Sequence, residues 1–273
     1  MKSFIKITLK YILPFVIIIM VILMNPVAGF AALLVFIVYV LYNGRAVLCS
    51  FIGGIKYLRG LMDQALKWFK RGYETKKARP KSVISYAYLL LKTGNLVEAG
   101  LVLSKLLEKN NSKEDELYAK SNLALVYWKK GDLDSAVSTL QEVIEEYKTS
   151  TVYGSLGYLL ILKGDLDKAL EFNLEAYDYN CANTVILDNL GQTYYLKGMY
   201  EKSLETYETL IGKKPGFPEA WYNYALLLLK LDQKEKAVEM LKKALDSKFS
   251  FLSDITKDLV AAQLNEVEAA LNT

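Results

Sequence analysis

The chain has 273 residues, 34 Lys/Arg against 30 Asp/Glu, two cysteines and no histidine. That length holds one or two domains, and a 52% hydrophobic share exceeds what a soluble domain ordinarily carries. Without histidine the commonest general base and metal ligand is missing, and the isolated Cys49 and Cys181 imply neither a disulfide framework nor a zinc site, which fits a reducing compartment.

The hydrophobic surplus is local. From Tyr11 to Tyr42 no residue is charged, and nearly every one is aliphatic or aromatic. One straight helix over those 32 residues would be roughly 48 Å long, against a bilayer hydrocarbon core of about 30 Å. Asn25-Pro26 therefore reads as the turn of a transmembrane helical hairpin occupying 1–45, because proline has no N–H to donate and disfavours helix in the residue before it. The spans run over about 9–24 and 27–45, borrowing Ile5 to Leu9 and Ala46 to Leu48 at their ends, with Lys6, Lys10 and Arg45 snorkelling to the interface. A cleaved signal peptide with Lys2, Lys6 and Lys10 as its basic region is the competing interpretation, and the apolar run does not stop where a cleavage site near Ala28 to Ala32 would require. Three lysines precede the first arm and Arg45, Lys56 and Arg59 follow the second, so the positive-inside rule puts both ends, and everything after them, in the cytoplasm of a multi-pass membrane protein.

Charge is divided unevenly as well. Residues 1–79 carry 12 Lys/Arg and 2 Asp/Glu, a net of +10, whereas the remainder carries 22 and 28, a net of −6. A basic collar beside the hairpin favours anionic membrane lipid, and the acidic body argues against nucleic acid as a partner.

Beyond the collar, the chain keeps rewriting one nonapeptide. LKGDLDKAL at Leu162 returns as KKGDLDSAV from Lys129, KTGNLVEAG from Lys92, LKGMYEKSL from Leu196, and more loosely as KLDQKEKAV from Lys230 and LRGLMDQAL from Leu58. The turn residues Gly60, Gly94, Gly131, Gly164, Gly198 and Asp232 are spaced by 34, 37, 33, 34 and 34 residues. Fixed periods of this size mark a solenoid, whose units bury their apolar faces by stacking. On either side of the turn, apolar residues recur every three or four positions, so each copy is an antiparallel helix pair; the glycine closes the first helix and Asp132, Asp165 or Asn95 caps the second.

These residues resemble the tetratricopeptide repeat. The small residues where first helices pack are Gly53, Ala87, Ala124, Gly157, Gly191 and Ala225; those early in second helices are Ala65, Ala99, Ala136, Ala169, Ser203 and Ala237. Large residues follow at Phe69, Leu103, Leu140, Tyr207 and Leu241, with Asn173 the departure. Only Pro215 and Trp221 match the family's closing proline and its tryptophan. The resemblance implies an all-α fold with a solenoid over 46–251, in repeats of about 46–79, 80–113, 117–149, 150–183, 184–217 and 218–251. The second membrane arm runs into the first repeat without a linker, and 252–273 supplies a capping helix, read from Asp254 to Leu271.

No nucleophile elbow, phosphate loop or dinucleotide fingerprint occurs, so no enzyme activity, cofactor, catalytic residue or metal is expected. The resemblance instead implies a concave groove on the first helices, lined by Tyr57, Ile84, Tyr88, Leu91, Tyr118, Leu125, Trp128, Tyr158, Ile161, Tyr195, Tyr222, Leu226 and Leu229. Such an aromatic groove suits a protein or peptide partner, unless the rings fill it themselves. The resemblance also implies that the family-typical Asn122, Asn189 and Asn223 can hold a peptide backbone; Lys81, Lys92, Lys129 and Lys230 lie near the groove, mostly at its edge, too sparse for a clamp on a chain-terminal carboxylate. The expected protein is a membrane-anchored scaffold, of a composition typical of AT-rich bacteria; the alternative is an assembly factor or holdase for membrane or envelope complexes.

Overall fold

In a computed structural model that describes residues 8–271, every regular element is helical and no strand occurs among the described residues. A π-helical turn at Thr8–Ile12 leads into α1 (Leu13–Met24), followed by α2 (Pro26–Leu58), α3 (Met62–Glu74), α4 (Pro80–Lys92), α5 (Leu96–Leu107), α6 (Lys113–Lys129) and α7 (Leu133–Glu146). The rest are α8 (Ser150–Lys163), α9 (Leu166–Tyr179), α10 (Thr184–Leu196), α11 (Tyr200–Gly212), α12 (Pro218–Lys230), α13 (Lys234–Asp246) and α14 (Lys257–Leu271). The chain divides into two compact units, 1–86 and 87–273.

In the first unit, Asn25 is extended at φ −146° and its side-chain oxygen accepts the Ala28 N–H at 3.2 Å, so the break between α1 and α2 is an N-cap followed by proline at the first helical position. The two helices pack as a hairpin, with Gly29 directly against Ile22 and Phe15 beside Phe36. The α2 helix is long and apolar enough to cross a membrane, with a mean hydropathy of 2.0 over its best stretch and 6% of that stretch buried. It does not stop at residue 45: one continuous helix carries the chain on to Leu58, where it pairs with α3. The Phe69 ring packs on Gly53, within 2.8 Å of where a Cβ would stand, whereas Gly54 faces open space. The expected roles of Lys2, Ile5 and Lys6 lie outside the described residues.

The copied nonapeptide builds the same backbone each time. Gly60, Gly94, Gly131, Gly164 and Gly198 have φ between +73° and +89°, and Asp232 follows at +57°. The residue after the turn reaches back five positions: Asn95 N to Leu90 O at 2.8 Å, Asp132 N to Tyr127 O at 3.0 Å and Gln233 N to Leu228 O at 2.8 Å. These bonds satisfy carbonyls that the helix end would otherwise leave bare. Asp132 and Asp165 cap the following helices through the Ser135 and Lys168 N–H groups. Asn95 does not; its amide donates to Thr93 Oγ1 at 2.9 Å instead, correcting the expected third cap.

Within the second unit, successive helices pack in series from α5 to α14, and the first helices α8, α10 and α12 also touch one another. Size complementarity fixes each pair. Tyr207 packs on Gly191, with its ring 2.9 Å from a Cβ that would be added there, and Asn173 packs on Gly157. Where the first helix carries alanine, the second carries leucine, as in Ala124 with Leu140 and Ala225 with Leu241. Asn173 is buried and its amide donates to Thr193 Oγ1 at 3.0 Å. Trp221 donates its indole N–H to Pro215 O at 2.9 Å, tying the tryptophan to the proline that closes the preceding repeat. The last helix starts at Lys257, not Asp254, and buries Val260, Leu264 and Val267 against the C-terminal core.

Candidate groove site

Along the first helices the expected groove residues separate into three groups. Tyr88 from α4, Tyr118 and Leu125 from α6, and Val152 and Ser155 from α8 surround an open recess of about 180 Å³, completed by Ser121, Asn122 and Thr151. Its lining is mixed: three apolar or aromatic walls with hydroxyls between them. Asn122 donates to Tyr118 O of its own helix at 2.9 Å, whereas Asn189 donates to Gly154 O at 2.7 Å and so ties α10 to α8.

Further along, Trp128 and Tyr158 meet edge to face at 5.6 Å between centroids, and Lys129 Nζ stands 4.0 Å from the Trp128 ring centre. Burial pushes the Tyr158 hydroxyl up, and its hydrogen bond to the Asp254 carboxylate adds to the shift. The third group packs more deeply. Tyr195 and Leu226 are half-buried against the C-terminal core, while Tyr222, Leu91 and Ile161 are buried at 8%, 0% and 6% exposure. Ile84 is likewise buried, Leu229 packs on the C-terminal core, and Tyr57 is half-buried in the first unit.

Two features escape a reading of the sequence. Lys129 pairs at 2.6 Å with Asp254, a partner 125 residues away. Asp188 is buried between α10, α11 and α12, accepting from Asn223 Nδ2 at 3.2 Å and from the Tyr207 hydroxyl at 3.3 Å. Desolvation pushes its carboxyl up to about 7, Asn223 opposes the shift, and Glu219 adds to it. A hint existed in the even placement of Asn189 and Asn223, whose neighbour Asp188 departs from the apolar pattern.

Stacked helix pairs around a partly aromatic concavity define an α-solenoid of the interaction-repeat class. Two segments match tetratricopeptide-repeat family profiles, 121–182 and 194–250, and these segments are tetratricopeptide repeats. Over 125 residues the chain is 31% identical to the BBSome complex member BBS4 of Bos taurus, covering 46% of this chain and 23% of that protein. Over 157 residues it is 24% identical to the TPR repeat-containing protein MJ1428 of Methanocaldococcus jannaschii, covering 57% and 27%. The chain thus spans about a quarter of the length of these curated relatives. A tetratricopeptide repeat protein from Parabacteroides merdae superposes over 95% of this chain and 99% of its own, with a TM-score of 0.66 at 14% identity, a likeness of fold alone.

Proposed function

We propose that the protein is a membrane-anchored adaptor whose solenoid holds a protein or peptide partner at the cytoplasmic membrane surface. The observation that carries the binding half is the open recess of Tyr88, Tyr118 and Leu125. Rigid rings there bury area at little rotamer cost, and the interleaved Ser121, Thr151 and Ser155 offer hydroxyls to a polypeptide backbone. That polarity favours one specific ligand over the many apolar clients of a holdase. The tetratricopeptide repeats support a protein–protein role, as does the name of the bovine relative, a member of a multiprotein complex. The mechanism is binding without turnover: confinement to a surface raises the effective concentration of one partner near others.

Support for anchoring comes from α1 and α2. Leu23, Met24 and Val27 at the hairpin tip are more than 80% exposed, a cost in water that lipid removes. The basic residues of 1–79 would then lie against anionic lipid headgroups.

Two experiments on the full-length chain test the two halves. Replacing Tyr118 and Leu125 together by alanine is expected to leave membrane residence and melting nearly unchanged while reducing recovery of the co-purified partner at least tenfold; unchanged recovery would remove the recess from the account. Cys181 is exposed and reports orientation. In a Cys49→Ser background, a membrane-impermeant maleimide is expected to label Cys181 only after cells are permeabilised, and labelling of intact cells would reverse the proposed topology.

A further inference from the structure

Between α13 and α14 the chain leaves the helical repeat for ten residues, 247–256, and this segment returns to the groove. Phe249 and Ile255 hold its ends on the C-terminal core. In the middle, the Phe251 N–H donates to Lys92 O at 3.2 Å, and its ring covers the left-handed turn at Gly94, 3.1 Å from where a Cβ would stand. Three residues on, Asp254 lies between Lys129 and Tyr158: Lys129 Nζ is 2.6 Å from Oδ1 and also reaches Ser253 O at 3.4 Å, and the Tyr158 hydroxyl donates to Oδ2. A piece of the last repeat is therefore bound by first helices of three earlier ones.

The contact has the form of a ligand. It is an extended stretch recognised through one backbone hydrogen bond, one ring over a glycine turn and one carboxylate shared by a cation and a phenol. It is also lightly held. Phe251 remains 44% exposed and the Asp254 side chain 35%, so between its two anchored ends the strap buries little apolar area to set against the entropy of ordering it. Lys129, by contrast, is only 11% exposed, confined between Trp128 and Phe251, and a cation in that setting selects an anion.

We infer that residues 247–256 form a displaceable internal ligand of the groove, and that the partner it holds off is an extended polypeptide with an aromatic residue three positions before an acidic one. The inference rests on the groove being the partner site. A partner segment places its carboxylate on Lys129 and Tyr158 and its ring over Gly94, and the strap lowers its apparent affinity by the fraction of time the site is covered.

The probe is a fluorescein-labelled synthetic decapeptide of sequence SKFSFLSDIT, with a version carrying asparagine for its aspartate, titrated against the full-length chain in detergent by anisotropy. Asp254→Ala, which releases the strap, is expected to bind the peptide at least tenfold more tightly than the unaltered chain. Phe251→Ala is expected to shift affinity the same way by an independent contact. Adding Lys129→Gln to Asp254→Ala should cancel the gain, and the asparagine peptide should bind at least tenfold more weakly. Equal affinity for the unaltered and both strap-released chains would overturn the inference, as would a gain insensitive to Lys129. A concentration-dependent dimer appearing on strap release, measured by light scattering, would assign the site to a second copy and also overturn it. The two readings fail separately: capture of a partner at Tyr118 with no effect of Asp254→Ala sinks the strap alone, and strap-gated peptide binding with no captured partner sinks the adaptor alone.

Discussion

Ala169→Arg is expected to lower the melting temperature by about 10 °C or more, or to split the transition in two. Ala169 is fully buried in the core formed by Leu140, Leu156, Leu159 and Ile186. One repeat later the equivalent Ser203 donates to Gly191 O at 2.8 Å, a measure of how closely the two helix backbones approach at this position. An arginine there must either displace α8 or bury an unpaired guanidinium, and either costs about 4 kcal/mol or more. Because a solenoid is stabilised by nearest-neighbour interfaces, loss at repeat four would uncouple the repeats on either side of it. Circular dichroism melts check this, with the exposed neighbour Lys168→Ala expected to stay within about 0.5 kcal/mol of the unaltered chain. A wild-type melt from Ala169→Arg would mean that the repeat register is wrong.

Asp188→Asn is expected to stabilise the protein in a pH-dependent way. The carboxyl is held at about 7 in the folded state, chiefly by desolvation, and returns to about 3.9 when the chain unfolds. A folded-state value above the unfolded one means that the native state holds the proton more tightly, so the contribution is complete below about pH 4 and is lost as pH rises through 7. An asparagine has no charge to desolvate, and its oxygen accepts from Asn223 and Tyr207 as the carboxylate does. The stability advantage of the variant should therefore grow by about 3 kcal/mol between pH 5 and pH 8, read from urea melts at the two values. A difference independent of pH would mean that Asp188 keeps an ordinary carboxyl, and the buried cluster would then be hydrated.

What could be read from the sequence follows how local each interaction is. The turn is legible because the left-handed backbone at Gly60, Gly94, Gly131, Gly164 and Gly198 depends on one residue and its immediate neighbours. The hairpin break is legible for the same reason, since the Asn25 cap and the Pro26 ring act within three residues. The Asn95 cap failed because Thr93, two residues away, competes for the same side chain. Groove exposure was only partly legible: the family resemblance implies an inner face for Leu91, Ile161 and Tyr222, but how tightly neighbouring helices close over them depends on packing between repeats. The strap was not legible at all. Its bonds to Lys129 and Tyr158 span 125 and 96 residues, and no local pattern in 247–256 says where the segment will lie.

The central claim, that the concave face holds a specific protein partner at the membrane, is tested most directly by in-cell photo-crosslinking. A photoreactive residue is placed in turn at Tyr118, Trp128 and Tyr158 of the full-length chain, with exposed Lys168 as the control, and adducts in the membrane fraction are identified by mass spectrometry. One dominant protein adduct from the groove positions, absent from the Lys168 control, is the predicted result. No adduct, or the same set of adducts from Lys168 as from the groove, would contradict the account.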